Sequence, residues 1–279
     1  MKTEKIIGIL LIIGAIGILV PYSILTIIFD YPNILRKETG IILTKFQDGG
    51  KPLIWTWWAF AILGLPLLEA YILIGQKLEQ KFYYVRWATT LGIIGLLVQM
   101  IGLLRWTFVV PVLANNFAGG NEMTKEASKV AFQVVHQYGG VVLGEHLGQL
   151  FTIAWSLMMA SAFAQLKLFP KWLTWLGYIS SIIYLLAQTE LFATVMPNIP
   201  VIGFAGFVGS TLWIIWLVII GIKIRKLKFD KTDEEKRHIT FCRIADKPPK
   251  LKSLKTKRKS PEPSGIGAFG YTLFSDTGA

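Results

Sequence analysis

The chain has 279 residues, of which 53% are hydrophobic and only 16% charged, with a formal net charge of +12. A soluble chain of this length carries closer to a quarter charged residues to solvate its surface, so a soluble globular domain is excluded. The single Cys242 excludes an internal disulfide framework and a Cys-rich metal site.

Six apolar segments, each near the roughly 20 residues that a helix needs to cross about 30 Å of hydrocarbon, follow in chain order. Residues 6–29 come first, after Met-Lys-Thr-Glu-Lys. The stretch is too long for a signal-peptide core and lacks a small-x-small cleavage site, so it reads as a retained span. In the loop Asn33–Phe46, Ile34, Leu35, Ile41, Ile42 and Phe46 recur near helical spacing. The second and third spans are 53–75 and 84–113. A second loop, Thr124–Tyr138, carries Ala127, Val130, Ala131, Val134, Val135 and Tyr138 at i, i+3, i+4, i+7 steps. Both loops predict amphipathic helices lying in the interface plane or capping the bundle. Spans 140–165, 172–196 and 201–224 complete the set. The spans must be helices, because an open sheet edge has no partners in lipid.

The predicted fold is therefore an all-α polytopic membrane protein: a six-transmembrane-helix bundle over residues 1–226, with a disordered, basic C-terminal tail over 227–279. From Lys223 onward 15 Lys/Arg face 7 Asp/Glu, so +8 of the charge lies in the last fifth of the chain. That suits a cytoplasmic tail held against anionic lipid headgroups rather than a nucleic-acid-binding fold. With the N-terminus inside, 11 Lys/Arg lie in the short segments and tail start on the inner side against 6 on the outer side. The bias predicts a cytoplasmic-membrane protein with both termini cytoplasmic.

Small residues mark packing faces in the spans: Gly92, Gly95 and Gly102 in the third, and Gly203, Gly206 and Gly209 in the last. Pro21, Pro66 and Pro111 predict kinks or helix ends. Gly49-Gly50 and Gly139-Gly140 read as turns. Gln99 and Gln188 fall at similar points of the third and fifth spans, a weak echo of a duplicated hairpin.

Charge inside a membrane costs at least about 2.5–3.5 kcal/mol, so each ionisable group there is a functional candidate. They are Arg105, Glu145, His146 and Glu190, with Gln149 and Gln188 beside them; Glu69 and Gln99 are secondary. At 1.5 Å per residue, Glu145 and His146 lie about 7–9 Å below the start of their span. Glu190 and Gln188 lie about 9–12 Å below the outer end of theirs. Arg105 lies in the outer half of the third span, so these residues share one outer layer, while Glu69 lies apart near the cytoplasmic end. Glu145, Gln149, Thr152 and Ser156 form one helical stripe, and Thr174, Gly177, Ser181, Tyr184 and Gln188 another. Two such stripes face each other or a common interior, where Arg105 would neutralise Glu145 or Glu190. Three readings fit: a cavity handling a ligand, proton or substrate; a network that only fastens helices; and interfacial side chains snorkelling to water.

No metal and no cofactor are expected. Outside the tail only His136 and His146 are available, both on one continuous segment, which suits neither a zinc site nor haem ligation. No phosphate-binding loop, nucleophile elbow or dinucleotide fingerprint is present.

Several stretches carry a family likeness. They are Phe29-Asp30-Tyr31-Pro32-Asn33-Ile34-Leu35-Arg36 followed by Phe46-Gln47-Asp48-Gly49-Gly50, Trp57-Trp58-Ala59-Phe60-Ala61, and Leu104-Arg105-Trp106-Thr107-Phe108 through Ala114. To these are added Leu147-Gly148 to Trp155, Phe169-Pro170-Lys171-Trp172 and Leu176-Gly177. On them the chain resembles a bacterial family of multi-pass membrane proteins, the domain-of-unknown-function family 4386, over roughly residues 1–226. The resemblance implies a compact helical bundle and carries over no catalytic or binding residue.

For function the sequence favours binding or transport of a small or lipophilic molecule through the outer polar cavity, with membrane lipids as partners. The alternatives are an accessory protein whose polar network only stabilises the bundle, and a lipid-modifying enzyme with Glu145 or His146 as general base.

Overall fold

In the computed structural model, which describes residues 2–227, the described chain is helical throughout with short connections. The helices are α1 (Thr3–Phe29), α2 (Thr39–Ile62), α3 (Leu65–Leu78), α4 (Tyr84–Phe108), α5 (Val110–Gly119), α6 (Glu122–Val135), α7 (Gly148–Gln165), α8 (Lys171–Leu186), α9 (Gln188–Ala193) and α10 (Ala205–Ile224). A 3-10 turn, Asn33–Arg36, precedes α2, and a π-helix, His136–Leu147, joins α6 to α7. Joined end to end, these make six helical segments long and apolar enough to cross a membrane. The expected tail, 227–279, lies outside the described residues from 228 onward.

The spans meet in chain order around a ring, and the ring closes. α1 packs on α2, α3 and α10, α4 on α3 and α7, and α8 on α7 and α10. Each span buries one face inward and turns another outward. On α1, Ile7, Leu11 and Ala15 are fully buried, whereas Ile13, Ile16, Val20 and Ile27 are exposed, as a helix between a protein interior and lipid requires. Exposed Tyr83, Trp87, Trp172 and Trp175 open α4 and α8 at one end of the ring, and exposed Trp55 and Trp58 lie toward the other. Such rings belong at headgroup level.

Two cores fill the ring. At the end holding the start of α1 and the end of α10, Tyr71 stacks on Trp155 at 3.6 Å, and Trp155 meets Trp216 edge-on. The close fit depends on Gly92, where a Cβ would lie 2.8 Å from the Tyr71 ring. At the opposite end, hereafter the loop end, Trp106 is fully buried. It stacks on Trp57 at 4.7 Å and on Phe46 at 5.7 Å, with Phe29 and Phe132 against its edge.

The loop residues Ile34, Leu35, Ile42 and Phe46 are buried in this second core, so the 33–46 segment caps the bundle, one of the two placements expected for it. It runs into the second span through a break at Gly50, whose φ of 52° and ψ of −150° interrupt α2. Glycine meets that backbone without a Cβ clash. Pro66 and Pro111 fall in the first turn of α3 and α5, after breaks, whereas α1 continues through Pro21.

The 124–138 segment departs from expectation. α6 is no separate interfacial helix but continues without a non-helical residue through the π-helix into α7, so the fourth helical segment begins at Glu122 instead of Gly140. Its apolar series faces outward: Val130, Val134 and Tyr138 are exposed, while Ser128 and Phe132 on the other side are buried. Gly139-Gly140 are not a turn either; they lie inside the π-helix. Of Gly203, Gly206 and Gly209 only Gly209 makes a close approach, with its Cβ position 2.6 Å from the Tyr184 backbone.

Candidate functional site

The polar layer forms at the loop end, where several helices lose their regular geometry. The chain leaves α1 at Asp30, whose left-handed backbone (φ 58°) ends the helix. Asp is among the few residues that tolerate this conformation. Asn33 Nδ2 donates to Asp30 Oδ1 at 3.3 Å, and the following 3-10 turn folds back over the ring. This carries Arg36 to two carboxylates contributed by distant helices. Its Nη2 lies 3.1 Å from Glu145 Oε2 in the π-helix, and its Nε lies 2.8 Å from Glu190 Oε1 in α9.

Both carboxylates sit at irregularities. Glu145 belongs to the π-helix, and Glu190 belongs to the short helix that follows the break at Ala187. Departures from α geometry at membrane depth are tolerated where the backbone lines protein or a cavity, and π stretches recur at functional sites. Side-chain exposures of 30%, 20% and 33% for Arg36, Glu145 and Glu190 leave this cluster partly open at the protein surface. Burial opposes the Arg36 charge, but the two carboxylates outweigh it and raise its pKa above the ordinary arginine value. The Tyr31 phenol is held well above its usual range, first by burial and then by Glu145.

A second chain of contacts runs inward from this cluster. His146 Nδ1 lies 2.6 Å from Gln188 Oε1, and Gln188 Nε2 donates to Gln149 Oε1 at 2.7 Å. From the other side of the ring, Gln99 Nε2 donates to the Gly148 carbonyl at 3.0 Å and to Thr152 Oγ1 at 2.8 Å. Ser156 then accepts from Trp213 Nε1 at 3.0 Å. The stripes of α7 and α8 thus face the interior as expected, and Gln99 and Gln188 grip the first turns of α7 from opposite flanks.

Arg105 does not neutralise either glutamate, which corrects the expected pairing: Arg36 does so from the loop, and Glu145 acts on Arg105 only at longer range. Arg105 is 7% exposed. It donates to the Gly102 carbonyl, sits 3.5 Å through Nη2 from His136 Nδ1, and lies over the Trp106 ring at 5.2 Å. Gly140 gives it room, since a Cβ there would meet the guanidinium.

Among the secondary candidates, Gln99 joins the network, whereas Glu69 is exposed on the outside of α3, away from the cluster. Arg36 and His136 are the residues that sequence reasoning missed. Arg36 stands only among the loop charges and in the first family stretch, and His136 only among the excluded zinc and haem ligands. The signal was a polar turn, Asp30 to Asn33, placed to return Arg36 to the bundle. A separate open groove of about 440 Å3 lies beside the cap, lined by Glu38, Thr44, Lys45, Asp48, Phe117 and Lys129 among others. Among the described residues no cluster of three or more His, Cys, Asp and Glu is placed to hold a metal ion.

A family model described as a domain of unknown function (DUF4386) matches residues 6–221. No curated protein and no solved structure matches the chain.

Proposed function

Starting from the fact that the chain belongs to the DUF4386 family of membrane-helical bundles, we propose that it binds or transports a small or lipophilic molecule through the polar layer at the loop end. One observation carries this reading. In the triad, Glu145 and Glu190 sit on interrupted helices and Arg36 on the 3-10 turn that folds over the ring, yet each member keeps 20–33% of its side-chain exposure. A network whose only task is to fasten helices gains nothing from access, because solvent screening weakens its ion pairs. Broken helices bearing charge at depth are the usual architecture of a membrane binding site.

The loop end faces outward in this reading, and both chain ends face the cytoplasm of a plasma membrane. The excess of Lys/Arg at the other end, 11 against 6, supports that orientation. The basic segment beyond residue 227 would then adhere to anionic headgroups, and membrane lipids would surround the rest.

The test is a thermal-shift screen of the purified full chain against small amphiphilic acids and amines, run beside Glu145→Gln. A ligand stabilises the state that it binds, so a compound that raises the wild-type Tm but not that of the folded variant supports the proposal. If no compound separates the two proteins, and Glu145→Gln and Arg36→Ala merely lower Tm, the layer is structural and the accessory reading holds.

A further inference from the structure

Arg105 is the most deeply buried charge of the layer, and no carboxylate touches it; Glu145, paired with Arg36, acts on it only at longer range. Arg105 forms no ion pair with any described residue, and its Nε–H is buried without a hydrogen-bond partner in the protein. The adjacent His136 sharpens the imbalance. A guanidinium can only donate, so the 3.5 Å contact between Arg105 Nη2 and His136 Nδ1 makes Nδ1 the acceptor. The ring proton then sits on Nε2, which is also buried without a partner. Trp57 Nε1, a group that can only donate, is a third buried orphan, and its ring stacks on the Trp106 ring that Arg105 covers. A cation without a carboxylate in contact and three unanswered donors, Arg105 Nε–H, His136 Nε2–H and Trp57 Nε1–H, thus gather around a single indole, and an anionic acceptor at Arg105 would answer the charge and the donors it reaches. Buried polar groups are otherwise almost always paired, and an unpaired charge at membrane depth marks a ligand site.

We propose that Arg105 and His136 form a subsite for a monoanionic carboxylate, with the guanidinium supplying charge and His136 Nε2–H a second donor. One guanidinium without a carboxylate in contact matches one carboxylate, whereas a phosphate dianion would add a second negative charge beside the two glutamates that share Arg36. The apolar rings of Trp57, Phe132 and Trp106 around the subsite suit the start of a hydrocarbon tail. The inference deepens the binding reading by naming the ligand class, and it rests on that reading.

Isothermal titration of the purified full chain in neutral detergent tests it with three probes: decanoate, decanol and acetate. Decanoate is expected to bind at least about tenfold more tightly than decanol, the margin of one charge-assisted hydrogen bond. Acetate that competes with decanoate identifies a water-soluble acid as the source, whereas acetate without effect identifies a lipid-derived one. Arg105→Gln is expected to abolish the preference, so that decanoate and decanol bind alike. His136→Phe keeps the stacked ring and removes one buried donor together with the acceptor of Arg105 Nη2, two changes of opposite sign for folding, while the preference falls severalfold. The assignment is overturned if wild type does not prefer decanoate, or if Arg105→Gln keeps the preference. Should Arg105→Gln fail to fold, an unchanged preference in His136→Phe overturns it instead. Decanol binding without any preference for decanoate in wild type strikes the carboxylate assignment alone; loss of all binding in Glu145→Gln with Arg105 present belongs to the wider site.

Discussion

The two ends of the ring are built from similar residues and reach different states. Around Tyr71, Trp155 and Trp216 the aromatic packing is dry and the helices are regular; Ser156 and the Leu173 carbonyl satisfy the Trp213 and Trp216 N–H groups, while the Tyr71 hydroxyl and Trp155 N–H have no partner. Around Trp106 the packing is just as rich in rings, yet the helices break at Gly50, Val109 and Ala187 and widen into a π-helix. The charges of the polar layer enter there, while the other end holds the buried Glu4 at the start of α1. The difference teaches that irregular backbone and buried charge arrive together, because each π or broken turn redirects side chains that a regular helix would point elsewhere.

Substitutions can break or sharpen that contrast. Trp155→Ala empties the dry core and should cost about 3–5 kcal/mol, read as the largest fall in Tm in a detergent melt. Arg36→Ala leaves Glu145 and Glu190 facing each other without a cation. Unpairing a fully buried charge costs about 3–5 kcal/mol, and the partial exposure here reduces that to about 2–3 kcal/mol. Adding Glu145→Gln to Arg36→Ala should return part of the loss, and strict additivity in that double-mutant cycle would deny the coupling. Ser156→Ala orphans the Trp213 N–H in the dry core and should cost about 1–2 kcal/mol, visible as a smaller shift in the same melt.

The smallest effect lies at the surface of the cap. Glu38 accepts from the Ile41 amide at 3.2 Å. Hydrogen bonding from the Gly40 backbone, ahead of that from Ile41, holds its pKa below the ordinary glutamate value. Its contribution is therefore present above that ordinary value and disappears as pH falls through the lowered one. The Tm difference between wild type and Glu38→Gln should close on acidification, and a difference that persists to low pH would remove Glu38 as a cap.

The fold was legible because lipid allows so few solutions: runs of apolar residues near 20 long give spans, and the inward stripes of α7 and α8 follow from 3.6-residue spacing. The layer itself was half legible. Glu145, His146, Gln149, Gln188 and Glu190 stand out as expensive residues, but their partner does not, because Arg36 lies in a loop where charge costs nothing. Its return to the bundle depends on the left-handed Asp30 and the 3-10 turn, which leave no periodic signature. The π-helix was equally hidden. Its residues suit an α-helix, and only the packing of Gly144 against Gly102 and of Gly140 against Arg105 distinguishes it.

Closure of the ring has a consequence for how the protein is made. Gly8 of α1 lies against Gly221 of α10, whose Cβ position is 2.9 Å from the Gly8 carbonyl oxygen. Spans leave the ribosome in order, so the face of α1 that carries Gly8 must wait in the bilayer until the last span has been synthesised. Until then the bundle is an open arc, with α1 and α8 each missing a neighbour. A lesion in α10 is therefore an assembly lesion for the first span, and truncation before Ala205 should expose α1 to quality-control proteases even though every residue of the polar layer has already been translated.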